Sequence, residues 1–319
     1  MSISPQIIRS LYDDHFTSSM LPVLEELFTC SYKRHPMKRD LLFRKPSTDR
    51  DIWQASELHD MPLVSEIAEG SEYPFARPKQ GANKTLNVQK FGLAMSISEE
   101  AVDDGKVDLI SQSIKKMGDS ARESQEIDAM NVFNLGFTSQ TSNDGLSLFN
   151  TAHTLPSGST FSNRASSAAV LSATSLEAGL QDFAKNFVGD SGIIKEIRPK
   201  YLLTSEKYKR LAKELIGSSL KPETASFGTD GITNINNYNS FGEESLEACA
   251  SVHLTSDDAW FLVAEADETG LVIVTRKPIE TAASGRDVGF TSDTMVYKIR
   301  YREVVDATHP YGVWGNAGS

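Results

Sequence analysis

The stretch that decides the fold is Asp108–Leu135, DLISQSIKKMGDSARESQEIDAMNVFNL. It holds no proline, and Gly118 is its single glycine, so it reads as one uninterrupted helix. At ~1.5 Å per residue that helix is about 40 Å long, well beyond the mean of about 11–12 residues. Ile110, Ile114, Met117 and Ala121 fall at the spacing of one buried stripe. Ile127, Met130 and Phe133 or Leu135 resume the stripe after a polar gap at Ser124–Gln125. Lys115, Lys116, Asp119, Arg122, Glu123 and Glu126 mark a charged outer face. Asp103, Asp104 and Asp108 crowd the start, where the helix dipole favours negative charge. Gly136 stands where a terminating glycine belongs. A helix this long needs other elements laid along it.

Upstream, residues 51–97 contain two weakly alternating, β-compatible stretches, DIWQASELHDMPLVSEIAEG and NKTLNVQKFGLAMSIS. SEYPFARPKQGA lies between them as a turn region. A two-stranded ribbon is marginally stable alone, so this segment is expected to find partners on another subunit, the alternative being an ordinary hairpin packed on its own domain. Trp53, Tyr73 and Phe75 are the aromatic anchors such an interface wants. Residues 1–50 read as an arm. In it Leu21, Val23, Leu24, Leu27 and Phe28 form a short amphipathic helix, and a basic patch runs over 32–39. That patch reads as a solvated face pairing with acidic neighbours, or else as a phosphate contact. Ser96-Ile97-Ser98-Glu99 and Thr174-Ser175-Leu176-Glu177 have capping-box spacing.

Downstream, 136–172 is a long Ser/Thr/Asn/Gly-rich connection. A helix carrying Leu176, Leu180, Phe183, Ala184 and Phe187 follows. Residues 190–275 read as an α/β module. Its strands are PKYLL, LEACASVHL, AWFLVAEA and LVIVTRKP, with a helix through Tyr208–Ile216. IETAASGRDVGF reads as an exposed loop, TMVYKIRYREVVDA as a long strand and HPYGVWGNAGS as a tail.

The 319 residues carry a net charge of −11 with a pI near 5.1, which argues against a dedicated nucleic-acid binder. No apolar run is long enough to cross a membrane, and the N-terminus lacks signal-peptide character. Cys30 and Cys249 suggest two packed thiols and no disulfide framework. Phosphate-cradling glycine loops, nucleophile elbows and metal motifs are absent from the sequence. Asp144, His153 and Ser157 or Ser159 could be drawn as a hydrolase triad. Triads, however, are defined by geometry and not by proximity in sequence, so the favoured reading is a loop histidine capping backbone groups.

The block DGLSLFNTAHTLPSGSTFSN (144–163), set shortly after the long helix, resembles a hallmark of tailed-bacteriophage major capsid proteins. PSTDRDIWQASELHDMPLVSEIAEG and FGLAMSISEEAVDDG upstream resemble that family's extended loop and the approach to its spine helix. PKYLLTSEKYKRLAKELIGS, FLVAEADETGLVIVTRKP and HPYGVWGN downstream resemble its axial domain, final strands and tail. The resemblance covers roughly residues 20–315 and implies an α+β fold of the Hong Kong 97 type. Its expected parts are an N-terminal arm (1–50), an extended hairpin loop (51–97) and a peripheral domain with the spine helix (98–189). An axial domain (190–275) and a return with a C-terminal tail (276–319) complete it. It implies a shell subunit with no catalytic role, cofactor or metal. That subunit assembles as pentamers and hexamers into an icosahedral shell around double-stranded DNA in the virion, after synthesis in the host cytoplasm. A separate scaffolding protein, a portal protein and an optional decoration protein are the implied partners. No long N-terminal segment is expected to be cut away. Arg77, Lys79, Lys84, Arg122 and Glu126 join the aromatic anchors as candidate intersubunit contacts. A covalent link from Lys79 or Lys84 to Asn316, as some relatives make, is not expected. The alternatives are an encapsulin-like cellular compartment shell and a hydrolase using Asp144 and His153.

Overall fold

Helix α1 (Leu21–Tyr32) and the one-turn α2 (Arg39–Leu42) lead into strands β1 (Ile52–Leu58), β2 (Gln80–Asn87) and β3 (Gln89–Ser98). The long helix α3 (Val107–Asn134) follows, then a connection holding only β4 (His153–Thr154) and β5 (Thr160–Phe161). Helix α4 (Ala173–Asn186), strand β6 (Pro199–Ser205) and helix α5 (Lys209–Gly217) come next. The chain closes with β7 (Glu247–Ser251), β8 (Trp260–Ala264), β9 (Leu271–Ala283), β10 (Thr294–Ala307) and β11 (Val313–Asn316). This computed structural model describes residues 21–58, 60–75, 80–98, 100, 107–155, 157–218, 239, 241, 245–283 and 294–318.

Two sheets carry the body. One has strand order β11–β8–β6–β7, with β6 and β7 parallel and the rest antiparallel. Parallel neighbours need a crossover, and α5 lies in it. The sheet is apolar on both faces. Tyr201, Leu203, Phe261 and Val263 point into one cluster with Met130, Phe133 and Phe149. Leu202, Trp260, Leu262 and Trp314 point into another with Leu176, Phe183 and Phe187 of α4 and Leu215 of α5. The second sheet has order β3–β10–β9. Its inner face (Ile97, Met295, Tyr297, Ile299) packs with Leu24 and Phe28 of α1 and Ile110, Ile114, Met117 and Ala121 of α3. The first half of the long helix thus serves one core and its second half the other, as the two stripes imply.

Between the two cores lies a buried polar network at the polar gap of α3. The Arg39 guanidinium grips the Glu303 carboxylate in bidentate fashion at 2.7 and 2.9 Å. The Gln125 amide donates to Glu303 at 3.4 Å, and the Tyr32 hydroxyl donates to Gln125 at 2.6 Å. Glu126 was expected on the outer face. It is buried instead, and its carboxylate accepts the backbone N–H groups of Lys38 (3.1 Å) and Arg39 (3.4 Å). The physical reason is the start of α2, whose free N–H groups want an anion. The basic patch over 32–39 is therefore partly internal, with Arg39 buried.

Other expectations change too. Ile127 and Leu135 are exposed, and Ala129, Met130, Val132 and Phe133 form the second stripe. NKTLNVQKFGLAMSIS divides at Val88: its first part pairs with β1, its second part with β10. LVIVTRKP joins β10 in the second sheet and not the α/β module. HPYGVWGN is no tail: Val313–Asn316 is a fully buried strand on β8. Ser96 and Ser98 lie within β3, and Ser172, not Thr174, caps α4 with Ser175 closing the box. Cys30 is exposed, while Cys249 is buried and its thiol is pushed up to about 11 by that burial. Asp103, Asp104 and most of IETAASGRDVGF lie outside the described residues.

Two glycines mark close approaches. At Gly118 a Cβ would meet the Phe28 carbonyl oxygen at 2.9 Å, so this glycine lets α1 lie directly on α3. At Gly136 a Cβ would fall 2.6 Å from the Phe149 ring, whose place in the core requires the bare backbone. Gly136→Ala is expected to destabilise the protomer by about 1–3 kcal/mol through overpacking, read from the midpoint of urea unfolding.

Candidate functional site

The outstanding surface feature is the β1–β2 hairpin and the segment it carries. The two strands pair antiparallel from Ile52↔Asn87 to Leu58↔Gln80. Residues 60–75 form no strand or helix. Leu63 (76%), Val64 (99%), Tyr73 (76%) and Phe75 (94%) stand in solvent along that segment. Solvated apolar side chains this numerous on one loop mark an interaction surface.

The hairpin root, in contrast, is fastened to its own protomer. Leu86 is buried with Val272 and Val274, and Trp53 packs on them. Lys84 extends its ammonium to the Asp306 carboxylate at 2.6 Å and to the Ala307 carbonyl at 2.8 Å. Asn143 donates to Glu57 at 2.5 Å, Lys195 pairs with Asp60 at 3.4 Å, and Arg276 pairs with Asp51. A cavity of about 280 Å³ lies under the root, lined among others by Glu57, Asp144, Leu155, Phe161 and Tyr311. Burial, reinforced by the carboxylates of Glu57, Asp60, Asp190 and Asp144, pushes the Tyr311 phenol up.

The predicted contact residues therefore separate. Tyr73 and Phe75 are free to meet a partner. Trp53 and Lys84 are held inside their own protomer, as is Glu126. Arg122 is largely covered, its Nε is buried with no hydrogen-bond partner, and it approaches Glu123 at 3.8 Å. Arg77 and Lys79 lie outside the described residues. Asn316 is buried, and its side-chain oxygen accepts from the N–H groups of Ala169 and Gly318, both at 3.0 Å.

Asp144 and His153 do meet, at 2.6 Å through Nδ1. The other ring nitrogen faces the Leu148 carbonyl (3.2 Å) and the Asn163 side-chain oxygen (3.1 Å), with no serine there. Ser157 and Ser159 are exposed and bonded to each other. The triad drawn from the sequence is thus not assembled, because Nε2 is already committed to loop acceptors. Asn163, which the residue reading did not single out, is the other half of this tie. It accepts from the Asn150 N–H (2.9 Å) and donates to the Leu148 (2.7 Å) and Pro310 (3.1 Å) carbonyls. The long connection is locked by these bonds onto the turn before β11. Among the described residues no cluster of His, Cys, Asp and Glu could hold a metal ion, and no helix is long and apolar enough to cross a membrane.

Burial alone would raise the Asp144 carboxyl, but hydrogen bonds from His153 and Ser142 outweigh it and hold the group below its ordinary range. A carboxyl lowered in the fold stabilises the fold above its unfolded pKa of about 3.9. That contribution is lost as the pH falls through the lower folded value. Urea unfolding of the native protein at a series of acid pH values is expected to show this loss below about pH 4. Asp144→Asn removes that part of the acid limb.

Two cores threaded on one long helix, with a projecting apolar-tipped hairpin, define a shell-forming subunit of the Hong Kong 97 type. The sequence profile of the phage capsid protein family matches residues 82–316, so the chain belongs to the phage capsid protein family, as a major capsid protein. No curated protein matches by sequence. Solved structures with the same fold include the capsid of cyanophage P-SCSP1u, at 12% identity and a TM-score of 0.57, covering 89% of this chain and 88% of that one. A virus-like particle from Pyrococcus furiosus has 10% identity and a TM-score of 0.54, covering 93% and 99%. Mycobacterium phage Adephagia has 13% identity and a TM-score of 0.51, covering 87% and 88%.

Proposed function

We propose that this major capsid protein assembles as pentamers and hexamers into a closed icosahedral shell around double-stranded DNA, and that the 60–75 loop of each subunit lies on a neighbour. The supporting observation is the loop itself. A segment with Val64 and Phe75 almost wholly in solvent gains by being covered, at roughly 25 cal/mol per Å² of apolar surface. Each subunit offers the same loop and receives its neighbour's, a head-to-tail contact that gives a closed ring when the rotation it imposes closes. The protein acts by association and not by turnover, in the virion, with scaffolding, portal and optional decoration proteins as the partners of assembly. The hairpin (52–87), the α1–α3–β3–β10–β9 layer and the β11–β8–β6–β7 layer would serve as extended loop, peripheral domain and axial domain.

Electron microscopy of the purified protein across salt conditions, with and without co-expressed scaffold, tests this. Closed shells are the expected result. A protein that stays monomeric throughout is not a shell subunit. Phe75→Ser together with Val64→Ser is expected to leave the thermal unfolding of the protomer unchanged while lowering the yield of shells about tenfold or more, because each buried aromatic or branched side chain contributes about 1.5–3 kcal/mol. Shells formed at native yield by this variant would remove the loop from the interface.

A further inference from the structure

The solvent face of the β3–β10–β9 sheet carries a basic row. Antiparallel pairing sets Arg302 opposite Lys90 on one side and Lys277 on the other. These three and Arg300 line a shallow cavity of about 220 Å³. Arg300 has Glu280 at 3.0 Å. Among the described residues no carboxylate pairs with Lys90, Lys277 or Arg302. Like charges set directly opposite across strands are destabilising. The α1–α3 core lies on the other face of this sheet, and on the row's own face the apolar packing begins beyond it, where Val304 and Val274 lie under Leu86 and Trp53. The row is therefore no requirement of the fold. In a chain of net charge −11, three adjacent cations with no counter-ion among the described residues call for an anionic partner.

The 60–75 loop has the matching chemistry. It carries Asp60, Glu66, Glu69 and Glu72 and no lysine or arginine. Asp60 is engaged by Lys195. Glu66, Glu69 and Glu72 are exposed, and no ion pair involves them among the described residues. The Ser71 N–H closes a turn on the Ala68 carbonyl at 3.0 Å, so Glu69 lies in a bend that Glu66 and Glu72 flank, and the three carboxylates form one local acidic cluster. The root contacts hold each loop toward Asn143 and Lys195 of its own protomer, and no ion pair described joins it to its own basic row. We propose that the row formed by Lys90, Arg302 and Lys277 is the receptor for the acidic 60–75 loop of a second copy of this chain. This rests on the shell reading above and adds the surface on which the loop lands and the charges that direct it there. Complementary charge directs approach and orientation, while the apolar tip supplies the buried area. Nucleic acid is the competing anion, but a strongly acidic subunit repels it at long range.

A charge exchange tests the proposal. Lys90→Glu with Arg302→Glu is expected to lower shell yield at moderate salt about tenfold or more, since like charges then face each other. Glu66→Lys, Glu69→Lys and Glu72→Lys together should do the same. Combining the two sets should restore shells to within about threefold of native yield. Circular dichroism of the soluble protomers checks that each variant folds. Zero-length carbodiimide cross-linking of native shells gives a readout that needs no variant. Amide links between Lys90 or Lys277 and Glu66, Glu69 or Glu72, found by mass spectrometry only in assembled material, are expected, and their absence overturns the proposal. Reversed-row protein that assembles normally also overturns it, and so does failure of the combined set to recover. Normal shells that lose bound nucleic acid would reassign the row to the genome. Native protein that forms no shells would sink the shell reading itself, whereas native shells with an indifferent row sink only this inference.

Discussion

Glu303→Gln will cost the protomer about 3–5 kcal/mol, because it leaves Arg39 charged and unpaired where water cannot reach it. The side chains of Arg39 and Glu303 are only 7% and 4% exposed. Among the described residues Arg39 has no other carboxylate at comparable range: Asp40 lies at 3.8 Å. The loss is not confined to one ion pair. Glu303 also accepts from Gln125, Gln125 accepts from Tyr32, and Arg39 Nη1 donates to the Gln125 carbonyl at 3.3 Å. A urea midpoint lowered by well under 1 kcal/mol equivalent would mean that water enters the network and that the pair is not isolated as described. The paired replacement Arg39→Met with Glu303→Leu should recover much of the loss, since removing both charges leaves nothing to solvate. Recovery would separate the cost of an orphaned charge from the worth of the bridge.

Trp314→Ala should cost a similar amount, about 3–5 kcal/mol. Trp314 sits in the edge strand β11, its ring 5.1 Å from that of Trp260, and both belong to the cluster that joins the sheet to α4 and α5. The four residues of β11 are all buried. Truncation of the ring would open a cavity bounded by α4, whose Gly179 lets both indoles approach the helix backbone. Unfolding followed by tryptophan fluorescence and by circular dichroism should shift together. A shift in fluorescence alone would mean that β11 frays independently of the sheet.

The sequence made the long helix and its two apolar stripes plain because helical periodicity is a local signal. α1 and the helix at 173–186 were legible for the same reason. The family resemblance supplied the shell fold and the extended loop. β11 was not legible. VWGN is short, contains glycine and follows a proline, and only its pairing with β8 makes it a strand. The assignment of β9 to the second sheet was equally hidden, since strand partners are set by register over long separations. Glu126 was misplaced because a charged residue on a helix is normally solvated. The N-terminus of α2 that buries it lies 87 residues away in sequence. Of the candidate contacts, Tyr73 and Phe75 are exposed, whereas Trp53 and Lys84, chosen on the same grounds of type and context, make contacts within their own protomer.

The buried network at the middle of α3 has a further consequence for shape. Apolar contacts along a helix are non-directional and change little if the helix slides or turns slightly against its neighbours. A bidentate guanidinium–carboxylate grip with fixed donors and acceptors does not tolerate such sliding. Arg39–Glu303 locks α2 onto β10, and Gln125 and Glu126 tie α3 to that pair. The network therefore acts as a register key, fixing where α3 sits along β10 and hence the angle between the two cores at its ends. In a closed surface small angular errors between identical units accumulate from one contact to the next. A key placed at the pivot keeps every copy to the same angle, so the curvature of the whole can be set at the contacts and not by flexure within each subunit.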